Sequence, residues 1–451
     1  MSSRELYPFQ QEGVNHLIRR RCVLLADEMG LGKTVQAAVA MGQLFAMGAV
    51  RRALIVCPSS LCRNWRQEIR NWAPELPAVL YEGGDRYGML SGGAKILVGS
   101  FETVVGDLRI PTKNGERYFD CGFDLVVLDE AQRIKDSESL KSRVLSKLLA
   151  PWRWAISGTP MENHPGELAS ILRFLWPNEL GEPESLLDSV LVLSLRDLSM
   201  LRRSKREVGL QLPEKVFARV SVGLGPEQAA EYQRALLETQ VGVDASNDRT
   251  GAYGVILAGL QRLRRLAVIS EDGDSSKIDL LEEEVAEIVE NGEKVVVFSS
   301  FANLVLPLVA ERLKRFGSLM FTGAMTNEER AVVHERFLTD PTARVMCASL
   351  RAAGVGLTWT VASHVYHLDT WWNPQVMRQA EDRVHRIGQR NTVFIKQLIA
   401  EGTLEVAIDA LLISKTEIFE LVVEGSPMSS IEPHSATELA TLIGLKLPDF
   451  S

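Results

Sequence analysis

The sequence predicts an α/β fold of two lobes, each a parallel sheet covered by helices, with helical connecting and brace segments. Three observations carry this expectation. Short β-branched runs, each followed by a polar or glycine turn and then by helix-like spacing, fill the N-terminal part of the chain; a second set begins near residue 295; between about Leu195 and Lys277 the strand signals thin. The first set is Val23-Leu24-Leu25, Leu54-Ile55-Val56, Ile96-Leu97-Val98 and Leu125-Val126-Val127-Leu128. The second is Val295-Val296-Val297-Phe298, Leu319-Met320-Phe321, Val345-Met346-Cys347 and His364 to Leu368, separated by helical patterns such as Glu328 to Phe337. In the connecting stretch, Leu212-Pro213 and Gly225-Pro226 are breaks, because proline removes a backbone donor and restricts the residue before it. The expected boundaries are therefore 1–212, 213–424 and a tail 425–451 that carries Ser, Pro and Gly around the apolar segment Leu439 to Leu447.

A chain of 451 residues is about three times the ~150-residue domain norm and can bury more than one core. With 46% hydrophobic and 24% charged residues, it lies outside the disordered and collagen-like classes. Its formal charge is 50 − 58 = −8, so a nucleic acid would have to be held by a local basic surface. The five cysteines (Cys22, Cys57, Cys62, Cys121 and Cys347) form no CxxC pair and the histidines no HExxH, which argues against a structural zinc or a disulfide framework and for a reducing, intracellular setting. His364 and His367 would fall on opposite faces of a strand, so they are not expected to share a metal. The N-terminus lacks a signal-peptide core and there is no run of ~18 apolar residues, so no membrane partner is expected. The most apolar stretch, Val35 to Val50, contains Gln36 and Gln43 and reads as a buried helix.

The chemistry begins after Val23-Leu24-Leu25. Ala26-Asp27-Glu28-Met29-Gly30-Leu31-Gly32-Lys33-Thr34 followed by a helix-forming stretch is the strand-loop-helix context of a phosphate cradle, although Asp27 stands at the first glycine position of the strict GxxxxGKT pattern. Gly30 and Gly32 let backbone N–H groups face a polyphosphate, Lys33 brings charge to the β- and γ-phosphates, and Thr34 can ligate magnesium. The complementary half is Leu128-Asp129-Glu130-Ala131-Gln132 at the end of a strand, with Asp129 holding the metal through water and Glu130 polarising the attacking water.

DEMGLGKT followed by DEAQ resembles the Swi/Snf-type DNA-dependent ATPases of helicase superfamily two. The match continues through Leu6 to Val14, Cys57-Pro58-Ser59-Ser60-Leu61, Gly99-Ser100-Phe101-Glu102-Thr103 and Ser157-Gly158-Thr159-Pro160. Further on come Phe298 to Phe301, Ser349 to Leu357, Trp372-Asn373-Pro374 and Gln379-Ala380-Glu381-Asp382-Arg383-Val384-His385-Arg386. It covers about residues 4–424 and implies two RecA-like lobes of the P-loop NTPase class. It places Gln10 against an adenine, adds Gly354 and Gln379 to the nucleotide-contacting set, and gives Ser59, Ser60, Ser100, Thr159 and Arg351 to a nucleic acid backbone. The chain departs from the family at Gln132, where a histidine is usual, and at Arg351 and Thr358, where Lys and Asn are usual.

Offsets of four and three put Gln379, Arg383 and Arg386 on one face of a helix, from which the two arginines would reach charge on a transferred phosphoryl group. Basic clusters at Arg19 to Arg21, Arg202 to Arg206 and Arg262 to Arg265 are candidate groove linings; only the second resembles a family element, an arginine-rich brace. The resemblance makes ATP and Mg2+ the expected cofactors and double-stranded DNA, read without sequence preference, the expected track. The expected activity is DNA-stimulated ATP hydrolysis driving translocation without strand separation, by a monomeric bare motor, cytoplasmic in a prokaryote or virus and nuclear in a eukaryote, with a recruiting subunit as the further partner. The rivals are a strand-separating helicase, an RNA-dependent ATPase and an ATP-gated protein-interaction module.

Overall fold

A computed structural model describes residues 5–410 apart from 85, 92–93, 113–114, 119–121, 149, 159, 161–165, 181–188, 211, 247–248, 354–356 and 372–373. The expected tail 425–451, Thr159, Gly354, Cys121 and Trp372-Asn373 lie outside the described residues. The described chain divides into two compact units, 5–210 and 212–410.

The first unit holds nine strands. They are β1 (Cys22–Leu25), β2 (Ala53–Cys57), β3 (Ala78–Leu80), β4 (Ile96–Ser100), β5 (Arg109–Thr112), β6 (Gly115–Tyr118), β7 (Leu125–Asp129), β8 (Trp152–Ile156) and β9 (Met200–Leu201). Seven form a parallel sheet in the order β3-β4-β2-β7-β8-β1-β9, while β5 and β6 pair as an antiparallel hairpin. Strands β2, β4 and β7 are buried along their whole length, as expected of unbroken apolar runs in a sheet covered on both faces. Three helices bear on the site: α1 (Pro8–Arg19), α2 (Lys33–Ala46) and α3 (Cys62–Trp72).

The second unit contributes β10 (Lys215–Val222), β11 (Val295–Ser299), β12 (Ser318–Phe321), β13 (Val345–Ser349), β14 (His364–His367) and β15 (Val393–Ala400) in a parallel sheet ordered β10-β15-β14-β11-β13-β12. Alternate residues of its strands feed two cores. Val295, Val297, Val345, Cys347 and Tyr366 face one side; Val296, Phe298, Met346, Ala348 and Val365 face the other. No helix among the described residues is long and apolar enough to cross a membrane.

Several strands escape the periodicity. The stretch expected to be helical contains β10, an edge strand paired with β15 from Lys215↔Val393 to Val222↔Ala400; its outer residues are mostly exposed, which removes the apolar signal. Strand β8 reads Trp-Arg-Trp-Ala-Ile, and the buried Arg153 masks it. That guanidinium is accommodated by donating to Phe174 O at 2.7 Å, to Ala150 O at 3.4 Å and to Leu148 O.

The expected finger helix is also corrected. The helix Pro374–Glu381 carries Gln379 but stops before Arg383 and Arg386. There the bonding tightens: Arg383 N donates to Ala380 O at 3.1 Å and Val384 N to Glu381 O at 2.9 Å, one residue short of the α pattern. The two arginines therefore stand on a turn.

Candidate active site

The loop between β1 and α2 is shaped by two glycines with positive φ, Gly30 at 87° and Gly32 at 75°. Gly32 caps α2 with no side-chain cap bond, so the partial positive charge of the helix start falls at Lys33 and Thr34. A Cβ on Gly32 would stand 2.5 Å from Gln10 Nε2. Gln10 is buried, donates to Leu31 O at 3.2 Å and accepts from Tyr7 N at 3.1 Å, so α1 is tied to the loop through this side chain. Lys33 Nζ donates to Asp27 O at 2.7 Å and Glu28 O at 3.4 Å. Thr34, Met29 and Gly30 are half-buried, and Leu31 is buried.

Asp27 behaves differently from the rest of the loop. Its carboxylate is fully buried and turned to the protein: Arg203 donates Nε to Oδ1 at 3.0 Å and Nη2 to Oδ2 at 2.6 Å, and Gln36 Nε2 donates to Oδ2 at 3.1 Å. As a nucleotide contact this side chain is corrected, because both its oxygens are engaged inside the unit; the loop side of Asp27 is its backbone oxygen. Glu28 is likewise held, accepting from Lys205 N at 2.7 Å with Lys205 Nζ 3.4 Å away.

These bonds also settle the basic segment Arg202 to Arg206. Strand β9 adds to the sheet beside β1, Ala26 N donates to Leu201 O at 2.7 Å and Glu28 N to Arg203 O at 2.9 Å, so the segment runs alongside the loop. Arg203 reaches Phe9 O and, at 3.0 Å, Gln36 Oε1 as well. Gly13 is what lets it in, since a Cβ there would fall 1.8 Å from Gln36 Oε1 and 2.9 Å from Arg203 Nη2. As groove-lining residues Arg203 and Lys205 are corrected, Arg203 drawn to the buried Asp27 and Lys205 buried beside Glu28, whereas Arg206 stays exposed. In the cluster Arg262 to Arg265 only Arg264 is corrected on that ground, buried against Asp369 at 3.3 Å, while Arg262 and Arg265 pair with the exposed Glu271.

The end of β7 faces the same loop. Asp129 is buried; Oδ2 accepts the Trp65 indole N–H at 2.7 Å and Oδ1 the Glu130 N–H at 2.9 Å. Burial and then the neighbouring Glu130 carboxylate push Asp129 up to about 7, against the two N–H donors and the nearby Lys33 ammonium, which favour its charged form. Glu130 has φ 54°, the only non-glycine positive φ among the described residues, a strained turn of the kind found where a side chain must be aimed. Gln132 aims it: Nε2 donates to Glu130 Oε2 at 2.6 Å while Oε1 accepts from Ser157 Oγ at 2.7 Å. Beyond Ser157, a Cβ on Gly158 would lie 3.2 Å from Lys33 Nζ, so this segment closes the ring back to the loop.

The remaining expected residues divide. Ser59 is exposed and Ser60 half-buried on the short turn Ser59–Leu61 before α3. Ser100 is corrected as a surface contact: it is buried and caps the helix Phe101–Leu108, accepting from Thr103 N at 3.1 Å. Arg351 lies on the helix Leu350–Ala353, its side chain outside what is described. In the second unit, Arg386 Nη1 donates to Leu357 O at 3.2 Å and Arg383 O accepts from Trp359 N at 2.7 Å. The turn is anchored by buried neighbours. Glu381 meets Lys215 Nζ at 2.6 Å, His385 Nε2 lies 2.8 Å from Pro213 O, and Gln389 Nε2 donates to Ala362 O at 2.8 Å. His364 stacks on Phe394, whereas His367 is buried beside Glu381.

Sequence reasoning missed Trp65, Arg203 as the partner of Asp27, and Ser157 as the partner of Gln132. Trp65 had a signal: it is an aromatic residue with an N–H on a helix whose other buried residue is Ile69, four positions on, and a buried indole needs an acceptor. The Arg203 pairing had none, since its partner lies 176 residues away.

Compared with known families, residues 9–268 match the SNF2-related domain and residues 276–388 the Helicase conserved C-terminal domain. The Bacillus subtilis (strain 168) protein named "Putative ATP-dependent helicase/translocase YwqA" is 31% identical over 97% of this chain and 51% of its own length. The human DNA annealing helicase and endonuclease ZRANB3 is 31% identical over 92% of this chain and 40% of its own. The chain thus spans about half the length, or less, of these curated relatives. Among solved structures, the Sulfolobus solfataricus SWI2/SNF2 ATPase core in complex with dsDNA is 26% identical, covers 98% of each chain and has a TM-score of 0.44.

Proposed function

The chain belongs to the SNF2-related family, and from that premise we propose that it is an ATP-hydrolysing motor that moves along double-stranded DNA without separating its strands. The observation that carries the ATPase reading is the ring of bonded groups in the first unit, in which the Lys33 loop, Asp129, Glu130, Gln132 and Ser157 stand together.

In this reading the N–H groups around Gly30 and Gly32 cradle the phosphates, with Met29 and Leu31 shaping the loop, and Lys33 exchanges its loop carbonyls for the β- and γ-oxygens. Gln10 presents its amide to the base. The donor set beside the phosphates, the Thr34 hydroxyl with the Asp129 carboxylate, is all oxygen and suits Mg2+. Bound there, the metal would neutralise developing phosphate charge. Glu130, held by Gln132, orients the attacking water and takes up its proton. From the second lobe Arg383 and Arg386, with Gln379 and Gly354, complete the site and stabilise charge on the transferred group. The lobes proposed are 1–212 and 213–424. The track is assigned from the DNA-acting relative named above, with Ser59, Ser60, Thr159 and Arg351 as sequence-independent phosphate contacts.

The test runs ATPase rates in parallel on duplex DNA, single-stranded DNA and RNA, with Lys33→Ala as the control expected to lose about 10³-fold in turnover while remaining folded. Duplex DNA should stimulate most, and the stimulation should fade with salt. A triplex-forming strand should be displaced while a forked duplex stays paired. Efficient opening of the fork gives the case to a helicase, stimulation by RNA alone to an RNA-dependent ATPase, and no stimulation at all to a protein-binding module.

A further inference from the structure

Trp65 belongs to none of the motif segments quoted above, yet it reaches the centre of the site. It is fully buried, lies one turn into α3, and sends its indole N–H to Asp129 Oδ2 at 2.7 Å. The other oxygen, Oδ1, accepts from the next backbone N–H in the chain at 2.9 Å. One donor is thus local to β7, whereas the other comes from a separate helix. Together they fix the plane of a carboxylate that is only 6% exposed.

The helix that carries Trp65 begins where the turn Ser59–Leu61 ends, and that turn is closed by Leu61 N donating to Pro58 O at 2.8 Å. Ser59 and Ser60 are the exposed and half-buried residues of that turn. The turn, the first turn of α3 and the indole form one continuous segment that runs from a polar surface at Ser59 and Ser60 to Asp129.

We propose that Trp65 is a positioning residue that orients Asp129 for a divalent cation, and that α3 is the member through which a phosphate backbone seated on Ser59 and Ser60 acts on that carboxylate. This rests on the ATPase reading above. It assigns Trp65 no contact with nucleotide: its effect passes through Asp129. Phenylalanine keeps an aromatic ring in the core while deleting the N–H together with the pyrrole half of the indole.

The experiment measures calorimetric binding of ADP with and without Mg2+ to the wild type, Trp65→Phe, Asp129→Asn and the double variant. In Trp65→Phe the gain in ADP affinity that Mg2+ confers should shrink about 10- to 100-fold, the range for partners that orient metal ligands, while metal-free affinity holds and the chain stays folded at a lower thermal midpoint. In the Asp129→Asn background Trp65→Phe should add nothing further. Fold-stimulation of ATPase by duplex DNA at saturating Mg2+ should fall by half or more. An unchanged Mg2+ effect, or a loss that simply adds to that of Asp129→Asn, overturns the positioning role. Undiminished stimulation overturns the link to the turn. Should Trp65→Phe fail to fold, hydrogen exchange on the other two chains decides: ADP with Mg2+ should protect the α3 amides in the wild type and not in Asp129→Asn, and equal protection overturns the proposal. A wild type that binds no nucleotide sinks the ATPase reading itself, a result distinct from all of these.

Discussion

The loop 26–34 of the first unit and the turn 382–388 of the second are held in different ways. The loop is gripped at its functional residues: Gln10 meets Leu31, Asp27 meets Arg203 and Gln36, Glu28 meets Lys205, and Lys33 meets the loop's own carbonyls. The turn is gripped mainly beside its functional residues, at Glu381, His385 and Gln389, which are buried before, between and after Arg383 and Arg386, while Arg386 itself donates to Leu357 O. A cradle for phosphate must present its N–H groups before the ligand arrives, so its own residues are fixed. An arginine that answers charge in a transition state needs a firm base and a side chain that can reach. Changes to the loop's braces should therefore act on stability, and changes at the turn on turnover.

The sharpest way to break that contrast is at the arginines. Arg383→Ala and Arg386→Ala should each lower kcat by about 10³-fold or more while nucleotide affinity measured on the intact chain holds. Normal turnover in both would remove the turn from the chemistry. Next in size, Glu130→Gln should cost about 10²- to 10⁴-fold in kcat with ATP binding retained, since only the water-orienting charge is lost. A parallel fall in affinity would make the strained Glu130 a structural element.

Arg203→Ala tests the brace. It leaves the Asp27 carboxylate buried without its cation, a change expected to cost about 3–5 kcal/mol in denaturant unfolding, with kcat per folded molecule within a few-fold of wild type. Unaltered stability would mean that Gln36 alone can hold Asp27. The smallest effect is at the base of the turn. Burial opposes ionisation of Glu381, yet Lys215 and His367 outweigh it and hold the carboxyl down at about 2. Its stabilisation is then complete above the unfolded value of about 4.3 and is lost as the pH falls from there through about 2. Thermal midpoints should drop further over that window in the wild type than in Lys215→Met, by several °C. Parallel curves would show that the ion pair is not what anchors the turn.

How far each region could be read from sequence follows the range of its contacts. Gly30, Gly32 and Lys33 are local: an apolar run, two glycines and a helix former mark a strand-loop-helix from the sequence alone. Asp129 and Glu130 were readable as the end of a buried strand, and the interior strands β2, β4, β7, β11 and β13 showed as unbroken apolar runs. Strands β10 and β8 were not, one because an edge strand is half exposed, the other because a buried arginine interrupts it. The helical face assigned to Arg383 and Arg386 failed because periodicity cannot tell where a helix stops; the tightening of its bonds after Glu381, where that side chain turns to Lys215, is a tertiary event.

The sequence by itself determined two parallel α/β sheets, a glycine loop opening a helix, and a pair of carboxylates at a strand end, because these depend on backbone preference and on the period of apolar residues. Only the tertiary structure decided which charges serve the loop and which are consumed inside the fold. Asp27 and Arg203 are both polar letters in a string, and their separation of 176 residues carries no sign that they meet. Once they are buried together, a charge without its partner is too costly to leave, so the fold gives each a bonded place and leaves Lys33 and Thr34 at the mouth of the helix.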